Sequence, residues 1–412
     1  MLHESLMLPS IGYLTIGLGV NHWLDVERWC WGKSQPPDFN TPYLPRGDTH
    51  VRLNSTGRER SGRMAGMNKD LKDRTLEELE KVVVGLGQKK YLAGYLFRFI
   101  HTQNGREISD LSTLSKAFRE QLVEQGYFIS QLKVVDTLSD PDGSAKYLFE
   151  LADGERIETV LLPEDERRTL CVSTQVGCPM GCAFCATGRI QFRRNLTAGE
   201  IVDQVNTVEE HAGRITNIVY MGMGEPLLNY DAVLKSIRIL NHSAGKNVGI
   251  RHITVSTSGI VPGIKKLADE EIRPRLAISL SAPTDALRGK LMPVTDKYPI
   301  AELLEAIRVY QAKTGQRVTF EYVLIGTVND SVTHARMLVK LLRGLLYNVN
   351  LIEHNPFWGC EFTGSSRARI QRFAAVLKEA GVETTIRFRM GRRIKAACGQ
   401  LQAGYHPREQ TR

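Results

Sequence analysis

Hydrophobic positions along this chain change period several times, and each change marks an element. From Thr75 to Glu124 they are helical: Leu76, Leu79 and Val83 space as one face, and Leu92, Tyr95, Leu96 and Phe99 as another. Between residues 130 and 162 the period drops to two. Leu132, Val134 and Leu138 alternate roughly; Tyr147, Phe149 and Leu151 alternate clearly after the turn Asp140-Pro-Asp-Gly143; Ile157, Thr159 and Leu161 make a third run. This predicts a β-meander. Beyond it, short apolar runs and helical patterns take turns. Strands are expected at Thr169–Thr174, Ile215–Tyr220, His252–Ser256, Leu276–Leu280, Val318–Ile325 and Val349–Ile352. Helices are expected between them. One starts at the capping box Thr197-Ala-Gly-Glu200 and continues with Ile201, Val205 and Val208; others span Tyr230–Asn241, Val261–Glu270 and Ile370–Ala380, or are marked by Ile300, Leu303, Leu304 and Ile307 and by Met337, Leu338, Leu341 and Leu345. About six β/α units in succession imply an α/β fold with a parallel sheet, open or closed.

Residues 1–66 fit none of this. Met7 to Leu24 is fairly apolar, but Gly12, Gly17 and Gly19 interrupt it, and no Lys or Arg precedes it as a signal peptide would require. Pro36, Pro37, Pro42 and Pro45 and an Arg-rich polar run to Arg63 read as coil or a loosely attached extension, with Met64 and Met67 as candidate true starts and an RNA-binding arm as the alternative. The expected division is therefore an extension (1–66), a helical accessory domain (67–127), a β-meander linker (128–165), an α/β core (166–403) and a tail (404–412).

Charge adds little: 54 Lys+Arg against 45 Asp+Glu give +9, a weak pointer to a polyanionic partner. Cysteine adds much. Seven cysteines, three of them clustered, suit a reducing compartment better than a secreted disulfide scaffold, and no run reaches the ~18 apolar residues of a membrane span. The cluster is Cys171-Val-Ser-Thr-Gln-Val-Gly-Cys178-Pro-Met-Gly-Cys182-Ala-Phe-Cys185, whose last three cysteines stand at a C-x3-C-x2-C spacing. Three thiolates in one loop can hold a [4Fe–4S] cluster and leave one iron open. A structural zinc with Cys171 as fourth ligand is the alternative, but zinc sites more often pair two C-x2-C knuckles, and only one is present. Cys30 and Cys360 read as incidental and structural.

This spacing resembles the signature of the radical S-adenosylmethionine (SAM) superfamily, and the longer string resembles the adenine-C2 RNA methyltransferases of the RlmN family, over roughly residues 80 to 403. The resemblance implies an incomplete (β/α)6 barrel whose Cys178, Cys182 and Cys185 carry one [4Fe–4S] cluster. SAM, two molecules per turnover, is expected against Gly224 and Glu225 of Gly222-Met-Gly-Glu-Pro226, Ser256, Ser279-Leu280-Ser281 and Asn355. The family often has His or Asn where Ser281 stands, and its turn after Asn355 differs from Phe357-Trp358-Gly-Cys360. Cys398 resembles the family's methyl acceptor, Cys171 the thiol that releases product by forming a disulfide with it, and Glu158 the proton acceptor, with Glu164, Asp165 and Glu166 close enough in sequence to be confused with it.

The implied substrates are an adenine of 23S rRNA and, in some members, the adenine 3′ to the tRNA anticodon. An electron donor such as flavodoxin or ferredoxin would serve a cytoplasmic monomer. The helical region resembles the family's accessory RNA-binding domain. Arg189, Arg193 and Arg194, with Arg387, Arg389, Arg392, Arg393 and Lys395, are expected to bracket the mouth and meet phosphates. The rivals are the related Cfr-type enzyme, which modifies C8, and a zinc-stabilised RNA-binding protein without catalysis.

Overall fold

In the computed structural model residues 69–387, 391 and 393–404 are described. The expected extension at 1–66, Arg389, Arg392 and nearly all of the expected tail lie outside them.

The helical region holds α1 (Leu76–Gly85), α2 (Leu92–His101) and α3 (Lys116–Glu124). Thr75 opens α1 with a full capping box to Glu78, and the Ser115 hydroxyl caps α3. Leu79, Val83, Leu96 and Phe118 are buried in a core continuous with that of the rest of the described chain. Tyr95, expected on the apolar face of α2, is instead exposed and meets Tyr91 edge-on; the face runs through Ala93, Phe97 and Ile100 instead.

The meander is β1 (Lys133–Ser139), β2 (Ala145–Glu150) and β3 (Arg156–Glu164), all antiparallel, followed by β4 (Arg167–Cys171). A register shift between Val134 and Asp136 explains why the alternation in β1 is irregular. Two short strands, β5 (Gln175–Val176) and β6 (Arg194–Asn195), close the loop that follows β4. Then come α4 (Ala198–Ala212), β7 (Asn217–Tyr220), α5 (Tyr230–Asn241), β8 (Ile253–Thr257), α6 (Val261–Ala268) and β9 (Arg275–Ser279). The chain continues through α7 (Asp285–Leu291), α8 (Val294–Lys297), α9 (Ile300–Thr314), β10 (Val318–Leu324), α10 (Val332–Leu341), β11 (Tyr347–Glu353), α11 (Arg367–Glu379) and β12 (Thr384–Arg387). The expected helix at Thr197 starts with both halves of its capping box in place. The sequence pattern did not disclose α7, α8 or β12.

One sheet runs in the order β1-β2-β3-β4-β7-β8-β9-β10-β11-β12, parallel from β4 to β12. β1 and β12 are its two edges among the described residues, so the α/β barrel is incomplete, as expected, with β12 as an added parallel strand. No described helix is long and apolar enough to cross a membrane.

The register sorts the strands into two faces. Directly paired residues share a face, and so do residues two apart along a strand. The chain of pairs Val160↔Cys171↔Val219↔Thr254, then Ser256↔Ala277↔Thr319 and Ser279↔Glu321↔Asn350, then Ile352↔Arg387, places Glu158, Cys171, Ser256, Ser279, Glu321 and Arg387 on one face. The opposite face carries Ile218, Tyr220, Ile253, Val255, Leu276, Ile278, Phe320, Tyr322, Val349 and Leu351, all at or near zero exposure. Each large apolar side chain there contributes about 1.5–3 kcal/mol by leaving water. The helices therefore cover the apolar face, and the polar face is the one left to line a site.

Candidate active site

The cysteine loop leaves the C-terminal end of β4, where α/β sheets gather their ligand-binding groups. Gly177 makes its sharp reversal possible. Its φ is +72°, and a Cβ there would lie 2.3 Å from the Gln191 carbonyl oxygen. The loop is then tied down at Ala183 N–H, which donates to Leu291 O (2.9 Å), and at Ala186 N–H, which donates to Gly399 O (2.7 Å). Cys178, Cys182 and Cys185 are free and half-buried on this loop.

Three properties fit these residues to an anionic metal cluster with SAM beside it. First, burial pushes all three thiols up, Cys182 to about 12, with the neighbouring thiolates adding to burial at Cys178 and Cys182; only metal coordination would hold them deprotonated at neutral pH. Second, Arg288 is fully buried, makes no salt bridge among the described residues and leaves its Nε unpaired. Burial lowers it to about 10, and Cys182 is the foremost neighbour favouring its charge. Third, Glu225 is buried and burial raises its carboxyl, which suits an incoming ammonium group. Among the described residues no three His, Cys, Asp or Glu groups converge as ligands of a single ion. Two sulfurs on one zinc, at about 2.3 Å each, must lie within about 4 Å of one another; on a cluster each thiolate takes its own iron. Cys171, the fourth ligand of the zinc alternative, has Cys398 rather than the loop cysteines as its charged neighbour.

Cys398 arrives from the far end of the sequence, on a segment stitched in place. The turn between β1 and β2 holds Gly391 N–H through Asp142 and Arg393 N–H through Asp140, each at 2.8 Å. Asn355 Nδ2 donates to Cys398 O (3.2 Å), Thr187 Oγ1 to Leu401 O (2.8 Å), and Gln402 N–H to Glu158 Oε2 (2.7 Å). Cys398 is exposed and Cys171 buried. Burial raises Cys171 to about 12, and the Cys398 thiolate adds to it. The protein around Cys398 raises its thiol too, and in both cases Arg387 opposes the shift. Arg387 in turn is raised, foremost by Cys398. It lies on the polar face and reaches the Met221 sulfur (3.8 Å). Expected as a phosphate contact, it turns inward with its strand partner Ile352, onto the sheet face that carries Cys171.

Glu158 is buried on the same face, ion-paired with Lys146 (2.9 Å). Lys146 also reaches Lys395 O (3.5 Å), so the pair grips the Cys398 segment on both sides of the thiol. Glu164, Asp165 and Glu166 stand at the β3–β4 turn, at the opposite end of β4 from Cys171, where Glu164 makes an exposed ion pair with Arg167 and is one of the lesser charges that raise Arg387.

The residues expected to meet SAM end successive strands. Glu225 Oε2 accepts from Ser258 N–H (2.7 Å) and Ser258 Oγ (2.8 Å), and Oε1 accepts from Leu227 N–H (3.1 Å). Ser258 belongs to the run Ser256-Thr-Ser-Gly259 at the end of β8, of which only Ser256 was expected as a contact. Ser256 Oγ donates to Glu321 Oε2 (2.7 Å), whose other oxygen is buried and unpaired. Ser279 lends its carbonyl to Arg288 (3.2 Å), and Leu280 N–H donates to Glu321 O (2.9 Å). Ser281 is fully buried at φ +54°, and its hydroxyl accepts from Val323 N–H (3.3 Å), so it shapes the turn. Gly224 has φ +104°, and a Cβ there would sit 2.6 Å from Gln175 Cβ and 2.8 Å from Gln175 N. Gly224→Ala is therefore expected to lose about 1–3 kcal/mol of stability and to displace Glu225. Urea unfolding, with SAM binding measured by calorimetry, checks both.

The basic residues divide. Arg189, Arg193, Arg393 and Lys395 are exposed. Arg194 is not free for phosphate: it forks onto Glu200 (2.8 and 2.9 Å) and reaches Asp153 (2.6 Å), because β6 turns it back toward the start of α4. Arg194→Ala should thus lower the unfolding temperature by a few degrees and leave RNA affinity unchanged, whereas Arg193→Ala should weaken RNA binding and flatten its salt dependence.

Two family models match the chain: the Radical SAM superfamily over residues 172–338 and the ribosomal RNA large subunit methyltransferase N-terminal domain over residues 69–127. A probable dual-specificity RNA methyltransferase RlmN of Thermus thermophilus is 47% identical over 330 residues, 79% of this chain and 92% of that protein. Its counterpart in Thermotoga neapolitana is 47% identical over 336 residues, 81% and 97% of the two chains. The crystal structure of a radical SAM methyltransferase from Sphaerobacter thermophilus superposes with a TM-score of 0.78 at 47% identity, covering 81% of this chain and 99% of that one. Joined to a three-cysteine loop at the end of the first parallel strand, these likenesses settle the family: the chain belongs to the RlmN family of radical SAM RNA methyltransferases.

Proposed function

We propose that this chain methylates C2 of an adenine in RNA, both in 23S rRNA and 3′ to the anticodon in tRNA, with Cys398 as the carrier of the one-carbon unit. Cys178, Cys182 and Cys185 would hold the [4Fe–4S] cluster, and Glu225 with the ends of β8, β9 and β11 would hold SAM; together these groups supply the methyl group and the one-electron chemistry. The chain's own residues do the rest. Cys398 takes the one-carbon unit onto its sulfur and then presents that carbon to C2 of the base. Glu158, paired with Lys146, takes the proton that C2 must lose. Cys171 attacks the Cys398 sulfur: the S–S bond forms, the bond from that sulfur to the carbon now joined to C2 breaks, and that carbon keeps the electron pair and takes a proton to become the methyl group, with Arg387 favouring the thiolate that attacks.

The observation that carries this reading is that the Cys398 segment, from the far end of the sequence, is bonded to Asn355 and to Glu158, on the sheet face that also carries Cys171. A cytoplasmic monomer fed by a small electron-transfer protein completes the proposal.

Mass spectrometry of nucleosides from 23S rRNA and tRNA treated with the reduced enzyme and SAM tests it. 2-Methyladenosine in both RNAs is expected. 8-Methyladenosine would make this a C8 enzyme, and zinc in place of about four irons per chain would remove catalysis altogether.

A further inference from the structure

Immediately after Asn355 the chain makes a tight turn that presents an indole to solvent. Phe357 O accepts from Cys360 N–H (3.1 Å), closing the turn, and Gly359 takes φ +75° within it. Trp358, at the tip, is 61% exposed. Exposed apolar residues need no explanation one by one; this one differs in how it is held and where it stands.

The turn is clamped from three sides. Arg189, from the cysteine loop, lies over the Phe357 ring at 5.0 Å and donates to Gly359 O (2.5 Å). Gln400, two residues past Cys398, donates to Pro356 O (2.8 Å). Cys360 Sγ lies 3.6 Å from His354 Nε2. A turn fastened this way holds its indole out without paying further ordering entropy on binding. Trp358 follows Asn355, which bonds the Cys398 carbonyl, by three residues, so their Cα atoms are at most about 11 Å apart. An exposed guanidinium, that of Arg189, stands beside the turn.

We infer that Trp358 is a stacking platform for an unpaired RNA nucleotide next to the target adenine. An adenine delivered to Cys398 must leave its helix, and its neighbours then lose stacking partners. An exposed indole on a fastened turn, beside a cation, is the surface on which a single-stranded base finds a replacement. The inference rests on the RNA reading above. A reductant protein is the other macromolecule that must approach the cluster; it fits less well, because a lone aromatic on a narrow turn offers a face to one base and little area to a folded partner.

The chain has four tryptophans, so the full-length variant with Trp23, Trp29 and Trp31 changed to Phe reports on Trp358 alone. The probe is a short single-stranded RNA containing adenine, labelled with fluorescein. Its anisotropy reports binding, and indole emission reports stacking. Trp358 emission should be quenched with the same midpoint as the anisotropy. Trp358→Ala should weaken binding about tenfold, within roughly five- to a hundredfold, and raise KM for RNA at unchanged kcat. Trp358→Phe should recover most of the loss.

Unquenched emission with unweakened binding in Trp358→Ala overturns the stacking role and leaves the methyltransferase reading standing. Slower cluster reduction by flavodoxin in Trp358→Ala, with RNA binding unchanged, overturns it in favour of a docking site for the reductant. No RNA binding by the parent chain overturns the stacking role, and absence of methylated adenosine in the nucleoside analysis overturns the methyltransferase reading as well.

Discussion

Cys171→Ala protein isolated from cells is expected to carry RNA covalently attached through Cys398, visible as a slow band on a denaturing gel that collapses with RNase. The variant keeps the acceptor, Glu158 and the three loop cysteines, so every event up to attack on the base remains possible. What it lacks is the second sulfur. Release by disulfide formation requires the Cα atoms of the two residues to come within roughly 4.4–6.8 Å. The stitching of the Cys398 segment to Glu158, Thr187 and Asn355 limits how far that sulfur can travel, and the loop thiol nearest to it, Cys185, is one of the three assigned to the cluster. Cys398→Ala and the double variant should show neither band nor product, a loss to the level of no enzyme. Absence of the band in Cys171→Ala protein that still contains its iron would retire the relay and leave these cysteines as structural.

The β/α alternation was readable because each strand buries one whole face under helices, and that face alone sets the apolar period. Strand ends fell within a few residues of expectation, as at Val318–Leu324 and Tyr347–Glu353. β12 escaped because four residues, Thr-Thr-Ile-Arg, offer too little periodicity, and its role follows only from pairing with β11. α7 and α8 escaped because they are short and buried mainly through Arg288, Leu291 and Val294.

The site was legible wherever chemistry crowds into one stretch, as in the cysteine loop. It was illegible where it depends on register. Glu321 is buried between Phe320 and Tyr322, on the face it shares with the half-buried Thr319 and Val323. An acid in that company was the available signal, yet only the sheet order brings it to Ser256 and toward Arg387. Lys146 carried no signal in the sequence, and the pairing of β2 with β3 places it on Glu158. Basic residues misled for the converse reason. Arg194 and Arg387 look alike in a charge run, but one completes a surface ion-pair network and the other turns into the site.

Cys182→Ala should bind no stable four-iron cluster and show no methyl transfer, a fall of more than about a thousandfold, while costing the metal-free fold only about 1 kcal/mol. In that form the Cys182 thiol is neutral, since burial holds it up to about 12, and a half-buried neutral thiol contributes little beyond its own packing. Arg288→Met is the informative companion, because it keeps all three ligands and removes the buried cation beside Cys182. A cation stabilises the more negative, reduced state of an anionic cluster, so the variant should keep its iron and titrate at a lower potential. The shift should be on the order of 50–100 mV, one to two factors of ten at 59 mV each. Redox titration followed by electron paramagnetic resonance reads both variants: no cluster signal for Cys182→Ala, a displaced midpoint for Arg288→Met. An unmoved midpoint would mean that the guanidinium serves only its bonds to Thr295, Ser258 O and Ser279 O. In that case urea unfolding, rather than the potential, should register the change.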